Sequence, residues 1–150
     1  AKASHQGENR DGRKATYSLE LSDESDGTRK LMALAPAIES ALHTGGIFLV
    51  DSLERELHPL LVDNIIAKFQ SKVTNPNGAQ IVFTTHNTEL MNLELLRKDQ
   101  LYFVDKRVKD GASELYTISE FSTRTTENIR KGYLVGKYGA TPDVEIEEVE

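Results

Sequence analysis

The sequence predicts an α/β fold, with part of a parallel sheet, flanking helices and a C-terminal β-hairpin. Three observations lead to this prediction. Two short apolar runs, "IFLVD" and "QIVFTT", have the length and composition of buried strands in a parallel sheet. Segments with helical periodicity precede the first run and separate it from the second. Two further strand-like segments flank a Gly-containing turn, which is typical of a hairpin.

Composition excludes several classes of protein. The chain has 150 residues, of which 38% are hydrophobic and 28% charged, as in an ordinary globular domain. Its net charge of -6 argues against a nucleic-acid groove over the whole surface. The absence of cysteine excludes disulfides, thiolate metal sites and a Cys nucleophile. No apolar run approaches the roughly 18 residues of a membrane span, and no signal peptide is recognised. We therefore expect a cytoplasmic protein without a membrane partner, and the start at Ala1 suggests a piece of a longer chain.

The first third of the chain is predicted to lead into a long helix. Residues 1–14 are polar and contain glycine, so we expect a flexible segment there. The alternating segment "ATYSLELS" predicts a strand with the character of an edge strand, and "SDESDG" predicts a turn. Helical periodicity then continues until Gly45 and Gly46, which end the predicted helix. Pro36 predicts a kink in this helix or a break into two helices.

The remaining elements follow from similar patterns. "PLLVDNIIAKFQSKV" repeats apolar residues on one face, and Pro59 suits a first helical position. "HNTELMNLELL" predicts a helix after a polar corner. "QLYFVDK" and "ELYTISEF" predict the hairpin, and a short helix is predicted to end near Gly136. Residues 142–150 are predicted to be a solvated acidic tail.

An aspartate ends the first apolar strand. Asp51 occupies the position at which P-loop NTPases carry the carboxylate that holds magnesium. Magnesium favours one or two carboxylates together with the phosphates of a nucleotide. An aspartate that only caps the following turn is an alternative of equal weight when Asp51 is considered alone.

The second apolar strand ends in Thr84, Thr85 and His86. An imidazole at this position can donate to a γ-phosphate or to an attacking water. In isolation, a histidine that caps the following helix is the favoured alternative. Open α/β sheets place their chemistry at the carboxyl ends of neighbouring strands. Candidate groups at two such ends therefore favour a functional site.

A third candidate lies before the long helix. Ser25, Asp26, Gly27 and Thr28 form the sequence "SDGT", and main-chain amides at a helix start can bind an anion. An ordinary N-cap is the more common explanation of this pattern. The Walker A sequence G-x-x-x-x-G-K-[ST] is missing, and "GYLVGKYG" has the wrong spacing and no preceding strand.

Several of these segments together resemble one protein family. "SDESDGTRKLMALAP", "GGIFLVDSLERELHPLL", "NPNGAQIVFTTHNTELM", "LLRKDQLYFVDK" and "ENIRKGYLVGKYGATP" are similar to the C-terminal half of the ABC-type ATPases of bacterial phage-defence and abortive-infection systems. These ATPases are AAA-family relatives of the OLD and SMC heads. The resemblance covers residues 15–142 and implies that residues 15–141 form the C-terminal lobe of a P-loop NTPase head.

The resemblance implies roles for particular residues. Asp51 would bind Mg²⁺ as the Walker B aspartate, and His86 would be the switch histidine. Residues 25–28, named above, would be the signature motif that reaches ATP bound by a second copy of the head. "LERELHP" would contain the D-loop, which crosses the dimer interface. The implied cofactors are ATP and Mg²⁺, and the implied partner is a second ATPase head.

Two departures from the family pattern affect this interpretation. Ser52 stands where the catalytic glutamate normally follows the aspartate, and a serine hydroxyl is too weak a base to polarise water. Either Glu54 substitutes, or hydrolysis is slow, or the residue was engineered. The Walker A half, which lies upstream in the family, is also missing from this chain.

The sequence therefore predicts one lobe of a defence ATPase that dimerises around nucleotide and controls an effector, such as a nuclease domain or partner. The alternative is a degenerate, non-hydrolysing scaffold that assembles a defence complex. A third and weaker interpretation is a metal-dependent nuclease that uses Asp51, Glu54 and Asp105.

Overall fold

A computed structural model of the chain describes residues 2–122 and 127–142. The chain divides into two compact units, an N-terminal unit of Ala1–His86 and a C-terminal unit of Asn87–Glu150. Helices and small sheets are mixed in both, which confirms the α/β class. No helix in the described ranges is both long and apolar enough to cross a membrane. The predicted acidic tail lies outside the described residues except for Pro142.

The N-terminal unit begins with a β-hairpin. Strand β1, Lys2–Glu8, pairs antiparallel with strand β2, Lys14–Glu20. The Asn9 side chain accepts hydrogen bonds from two N–H groups of the connecting turn, at 2.9 and 3.0 Å. The predicted strand β2 is confirmed, but the loop predicted over residues 1–14 is wrong because it contains β1. Most side chains of both strands are exposed. Strand β1 therefore lacks the alternation of apolar and polar residues by which it could have been recognised in the sequence.

Helix α1 spans Asp26–Thr44 and confirms the long helix. Ser25 caps its first turn by accepting a hydrogen bond from a main-chain N–H. Gly45 ends the helix in the left-handed conformation, with φ of 73°. The helix continues through Pro36, so a break into two helices is wrong. Proline removes one helical hydrogen bond, the one to the carbonyl of Met32, which is an exposed residue.

A parallel strand pair with a helical crossover follows. Strand β3 (Ile47–Val50) pairs in parallel with strand β4 (Gln80–Phe83), and helix α2 (Pro59–Gln70) connects them. His58 caps α2 by accepting a hydrogen bond from the Leu60 N–H at 3.2 Å. The main buried side chains of this region are Ile38, Ala41, Phe48, Leu53, Leu57, Val62, Ile65, Ile66 and Phe69. The core thus lies between the helices and one face of the strand pair.

The other face of the strand pair is open. Ile47, Leu49 and Val82 are 64%, 70% and 55% exposed. Phe48, on the opposite face, is only 8% exposed and stacks on Phe69 with ring centroids 6.3 Å apart. The prediction that both strands are buried on both faces is therefore wrong for this chain. Because both strands are apolar almost throughout, both faces of the strand pair are apolar. Only one of these faces is covered by the rest of the unit.

The C-terminal unit is built on a second hairpin. Strand β5 (Tyr102–Lys106) pairs antiparallel with strand β6 (Ser113–Thr117), and helix α3 spans Ile129–Leu134. These elements confirm the predicted hairpin and short helix. Their core consists of Phe103, Ile118, Ile129 and Tyr138.

The helix predicted after strand β4 is not formed. The structure has only a 3-10 turn at Thr88–Leu90. The Asn87 side chain accepts a hydrogen bond from the Glu89 N–H at 3.0 Å, and Asn92 accepts one from the Glu94 N–H at 2.9 Å. Such local side-chain acceptors compete with the helical main-chain pattern, which explains why apolar periodicity is misleading here.

The glycines of "GYLVGKYG" have a packing role. A Cβ atom on Gly132 would lie 2.7 Å from the Tyr138 hydroxyl oxygen, so the ring needs a glycine beneath it. Gly136 has φ of 75° and follows α3 in the left-handed region. Packing and turn geometry therefore account for these glycines without a nucleotide loop.

Candidate functional site

The parallel register brings Asp51 and Thr84 together. Val50 and Phe83 form the last register pair of β3 and β4, so Asp51 and Thr84 are the next residues on neighbouring strands. The Thr84 N–H donates to the Val50 carbonyl at 3.2 Å and continues the ladder. The Thr84 hydroxyl donates to the Asp51 carboxylate, which is otherwise exposed. Strand pairing places Asp51 at the sheet edge, and the Thr84 hydroxyl holds its carboxylate there.

Ser52 turns the chain away from the strand in an unusual conformation. Its φ of 50° lies in the left-handed region, which costs a residue other than glycine about 1–2 kcal/mol. The Ser52 N–H donates to the Thr84 hydroxyl oxygen at 2.9 Å, and the Leu53 N–H donates to the Thr84 carbonyl at 3.2 Å. Leu53 is fully buried. Together, these contacts hold the strained turn in place.

Glu54 links this turn to the residues that follow β4. One of its carboxylate oxygens, Oε1, accepts a hydrogen bond from the His86 N–H at 2.9 Å. Burial raises the pKa of Glu54, but the His86 N–H, the Glu54 main chain and the Thr85 side chain stabilise the anion. The net result is a pKa below the ordinary value for glutamate. Glu54 is therefore an anion built into the junction of the two loops.

His86 is positioned by its main chain and presents an exposed side chain. The alternative in which it caps a following helix is not what the structure shows, because Asn87 caps the short turn at Thr88–Leu90. An exposed imidazole beside the strand end is free to contact a phosphate or a water. Asp51, Ser52, Glu54 and His86 thus belong to one connected group of residues at the carboxyl ends of β3 and β4.

The start of α1 contacts the same turn from another side. A Cβ atom on Gly27 would lie 2.7 Å from the Glu56 carbonyl oxygen, so glycine permits a close main-chain approach. Glu56 itself has φ of 67°. The Ser25 hydroxyl accepts a hydrogen bond from the Thr28 N–H at 3.1 Å and also bonds the Thr28 hydroxyl at 2.8 Å. These contacts show an N-cap and explain the glycine by packing.

Charged side chains flank the start of α1. Asp26 forms an ion pair with Arg29, whose guanidinium also donates to the Ser22 carbonyl at 3.1 Å. Glu24, which is 9% exposed, lies 2.5 Å from the His5 imidazole of β1. The hairpin and the helix start are therefore tied together through side chains.

The sequence placed Thr84 at the end of the second strand but did not reveal its role in the site. Its hydroxyl is shared between Asp51 and the Ser52 N–H, so it orders both positions at once. The signal in the sequence was the position of Thr84. It directly follows β4, and Asp51 directly follows the neighbouring strand β3. Parallel pairing in register would have identified the contact.

One protein family matches this chain. The family model described as "AAA domain, putative AbiEii toxin, Type IV TA system" matches residues 4–92. This range contains the start of α1, strands β3 and β4, and the group of residues at their ends. Comparisons with curated proteins and with solved structures give no match. Because more than half of the chain is matched, the chain belongs to this AAA-domain family of the abortive-infection type.

Proposed function

We propose that this chain is the C-terminal lobe of an ABC-type ATPase head that binds ATP between two copies and controls a defence effector. AAA domains of this kind are nucleotide-binding ATPases. The observation that carries the proposal is the placement of Asp51 directly after β3 and of His86 shortly after β4, where two paired parallel strands end side by side. Such an edge is where open α/β sheets bind their ligands.

Asp51 fits a magnesium ion that comes with a nucleotide. Its carboxylate is exposed and is oriented by the Thr84 hydroxyl. Magnesium commonly takes one carboxylate and completes its shell with water and phosphate oxygens. In the described ranges, no three His, Asp or Glu side chains could hold a metal ion by themselves. The ion would neutralise phosphate charge when bound.

The remaining site residues then have distinct roles in the proposal. The His86 imidazole would donate to the γ-phosphate or to the attacking water. Ser52 occupies the position of the expected glutamate and provides no base of useful strength. Residues 25–28 would meet a γ-phosphate held by the second head. The Walker A half would supply most of the phosphate contacts, so we expect the 150-residue chain alone to bind ATP weakly.

One observation favours a second candidate function. The serine at position 52 is held in a strained turn and cannot act as a base, which suits a non-hydrolysing scaffold. ATP turnover of the assembly with the Walker A half separates the two functions. For an ATPase that lacks its base, Ser52→Glu raises turnover, since a positioned base contributes about 10²–10⁴-fold. A scaffold shows no ATP turnover, either as the unaltered protein or as Ser52→Glu. The matched control is Ser52→Ala, which introduces no base.

His86 provides a second test of the ATPase. His86→Ala lowers turnover more than ATP affinity if the imidazole acts mainly in the transition state. Equal losses of rate and affinity, or no loss, would contradict the role of switch histidine. His43→Ala, which changes another histidine at the end of α1, is the matched control.

A further inference from the structure

Side chains from both loops connect the two loops at the sheet edge. Thr84, after β4, binds Asp51 and Ser52 after β3. Glu54, in the turn after β3, binds the main chain of His86 after β4. Because the contacts run in both directions, each loop contributes a side chain that holds the other.

We propose that Glu54 is a positioning residue, which fixes the His86 loop against the Asp51 loop, and that it is not the base that polarises water. The inference rests on the proposed ATPase function for its catalytic meaning. It answers the question, left open by the sequence, of whether Glu54 substitutes for the missing catalytic glutamate.

The geometry engages one carboxylate oxygen of Glu54 and shields the other. Oε1 is engaged by the His86 N–H at 2.9 Å. Oε2 is buried and has no hydrogen-bond partner among the described residues. A general base must come within about 2.6–3.2 Å of the proton that it removes. With one oxygen directed at the His86 N–H and the other shielded from solvent, the Glu54 carboxylate is poorly placed to meet this condition.

The electrostatics of Glu54 support the same role. The hydrogen bonds from His86 and Thr85 outweigh burial and hold the pKa of Glu54 below its ordinary value. A base works best when its pKa lies near the working pH, so a lowered pKa weakens proton transfer. The same hydrogen bonds strengthen the attachment of the His86 loop, because bonds to a charged acceptor are the stronger ones.

Two variants of Glu54 separate positioning from base catalysis. Glu54→Gln keeps an oxygen that can accept from the His86 N–H but cannot remove a proton. Glu54→Ala removes both functions. If Glu54 is a positioning residue, Glu54→Gln keeps ATP turnover within about tenfold and Glu54→Ala loses more, since a misplaced group can cost about 10²-fold. If Glu54 is the base, Glu54→Gln loses about 10²–10⁴-fold, which would overturn the proposal.

Amide hydrogen exchange at His86, followed by NMR on the 150-residue chain, tests the attachment without ATP. We expect faster exchange at this amide in Glu54→Ala, intermediate exchange in Glu54→Gln, and no change in the control Glu39→Gln, an exposed glutamate of α1. Unchanged exchange in Glu54→Ala would overturn the proposal. If the exchange responds but the assembly shows no turnover that depends on Asp51, the ATPase function fails and the catalytic role of Glu54 fails with it. The attachment between the loops would still be established.

Discussion

The Thr84 hydroxyl donates a hydrogen bond to the Asp51 carboxylate, at the point where two parallel strands end side by side. The same hydroxyl oxygen accepts from the Ser52 N–H at 2.9 Å. One side chain therefore orients the proposed magnesium ligand and stabilises the strained residue that follows it. The consequences can be tested with substitutions that change one group at a time.

Thr84→Val removes the hydroxyl at nearly constant shape. We expect a loss of about 1 kcal/mol in the free energy of unfolding, since a typical hydrogen bond contributes that much. Chemical denaturation of the chain measures the change. Thr84→Ser keeps the hydroxyl and is the matched control, with a smaller effect. A loss of stability in Thr84→Ser with none in Thr84→Val would show that the methyl group and not the hydroxyl matters.

Gly27→Ala tests the close approach of α1 to the turn at Glu56. The new Cβ atom would lie 2.7 Å from the Glu56 carbonyl oxygen, so the main chain must move. We expect a destabilisation of about 1–3 kcal/mol, the usual cost of overpacking. Thermal unfolding of the chain measures it. The matched control is Ala37→Gly on the exposed face of α1, which costs about 1 kcal/mol through helix propensity alone. A Gly27→Ala protein as stable as the original would show that the approach is not tight.

Ser25→Arg tests the proposed signature motif in the assembly with the Walker A half. Because Gly27 is needed for packing, Ser25 is the better site for a bulky substitution. A bulky side chain at the helix start obstructs the approach of a γ-phosphate from the second head to the main-chain amides. We expect ATP binding to one head to persist and ATP-driven dimerisation to be lost, as measured by ultracentrifugation. Ser40→Arg, near the other end of α1, should still dimerise. Dimerisation of the Ser25→Arg protein would reject this motif.

The raised pKa of Tyr138 predicts how the stability of the C-terminal unit changes at alkaline pH. Burial and the hydrogen bond that its hydroxyl donates to Glu127 raise the pKa of Tyr138 to about 12. Because the folded-state pKa exceeds the unfolded value of about 10, this stabilisation is complete below pH 10 and is lost as the pH rises towards 12. Denaturation at several alkaline pH values measures the loss. Tyr138→Phe should reduce the pH dependence but not abolish it, because the pKa of Tyr116 is also raised by burial. An unchanged pH dependence would contradict this role of Tyr138.

The elements that sequence periodicity predicts correctly are those with one buried face. Helices α1 and α2 carry apolar residues at helical spacing, and the hairpin of β5 and β6 has a turn signal between apolar strands. The placement of Asp51 and His86 at strand ends was also predictable, because apolar runs stop there. These features depend on local sequence and on burial.

The features that sequence analysis missed depend on partners distant in the chain. Strand β1 has few buried side chains, so its partner β2 decides its conformation. The bonds from Thr84 to Asp51 and from His86 to Glu54 join residues 33 and 32 positions apart. Whether Glu54 faces water or the neighbouring loop is decided by that pairing. The opposite error, a helix predicted after β4, arose because side-chain caps override an apolar pattern.

The most direct test of the proposed function is the magnesium-dependent ATP turnover of Asp51→Asn in the assembly with the Walker A half. Asparagine can still accept the hydrogen bond from Thr84 but lacks the charge that binds the cation. We expect the folded chain to be retained and magnesium-dependent turnover to fall by about tenfold or more, as expected when a charged metal ligand becomes neutral. The matched control is Asp63→Asn in helix α2, which should leave turnover unchanged. Asp51→Asn turnover equal to that of the unaltered protein, at every magnesium concentration, would contradict the assignment of Asp51 and the ATPase site built around it.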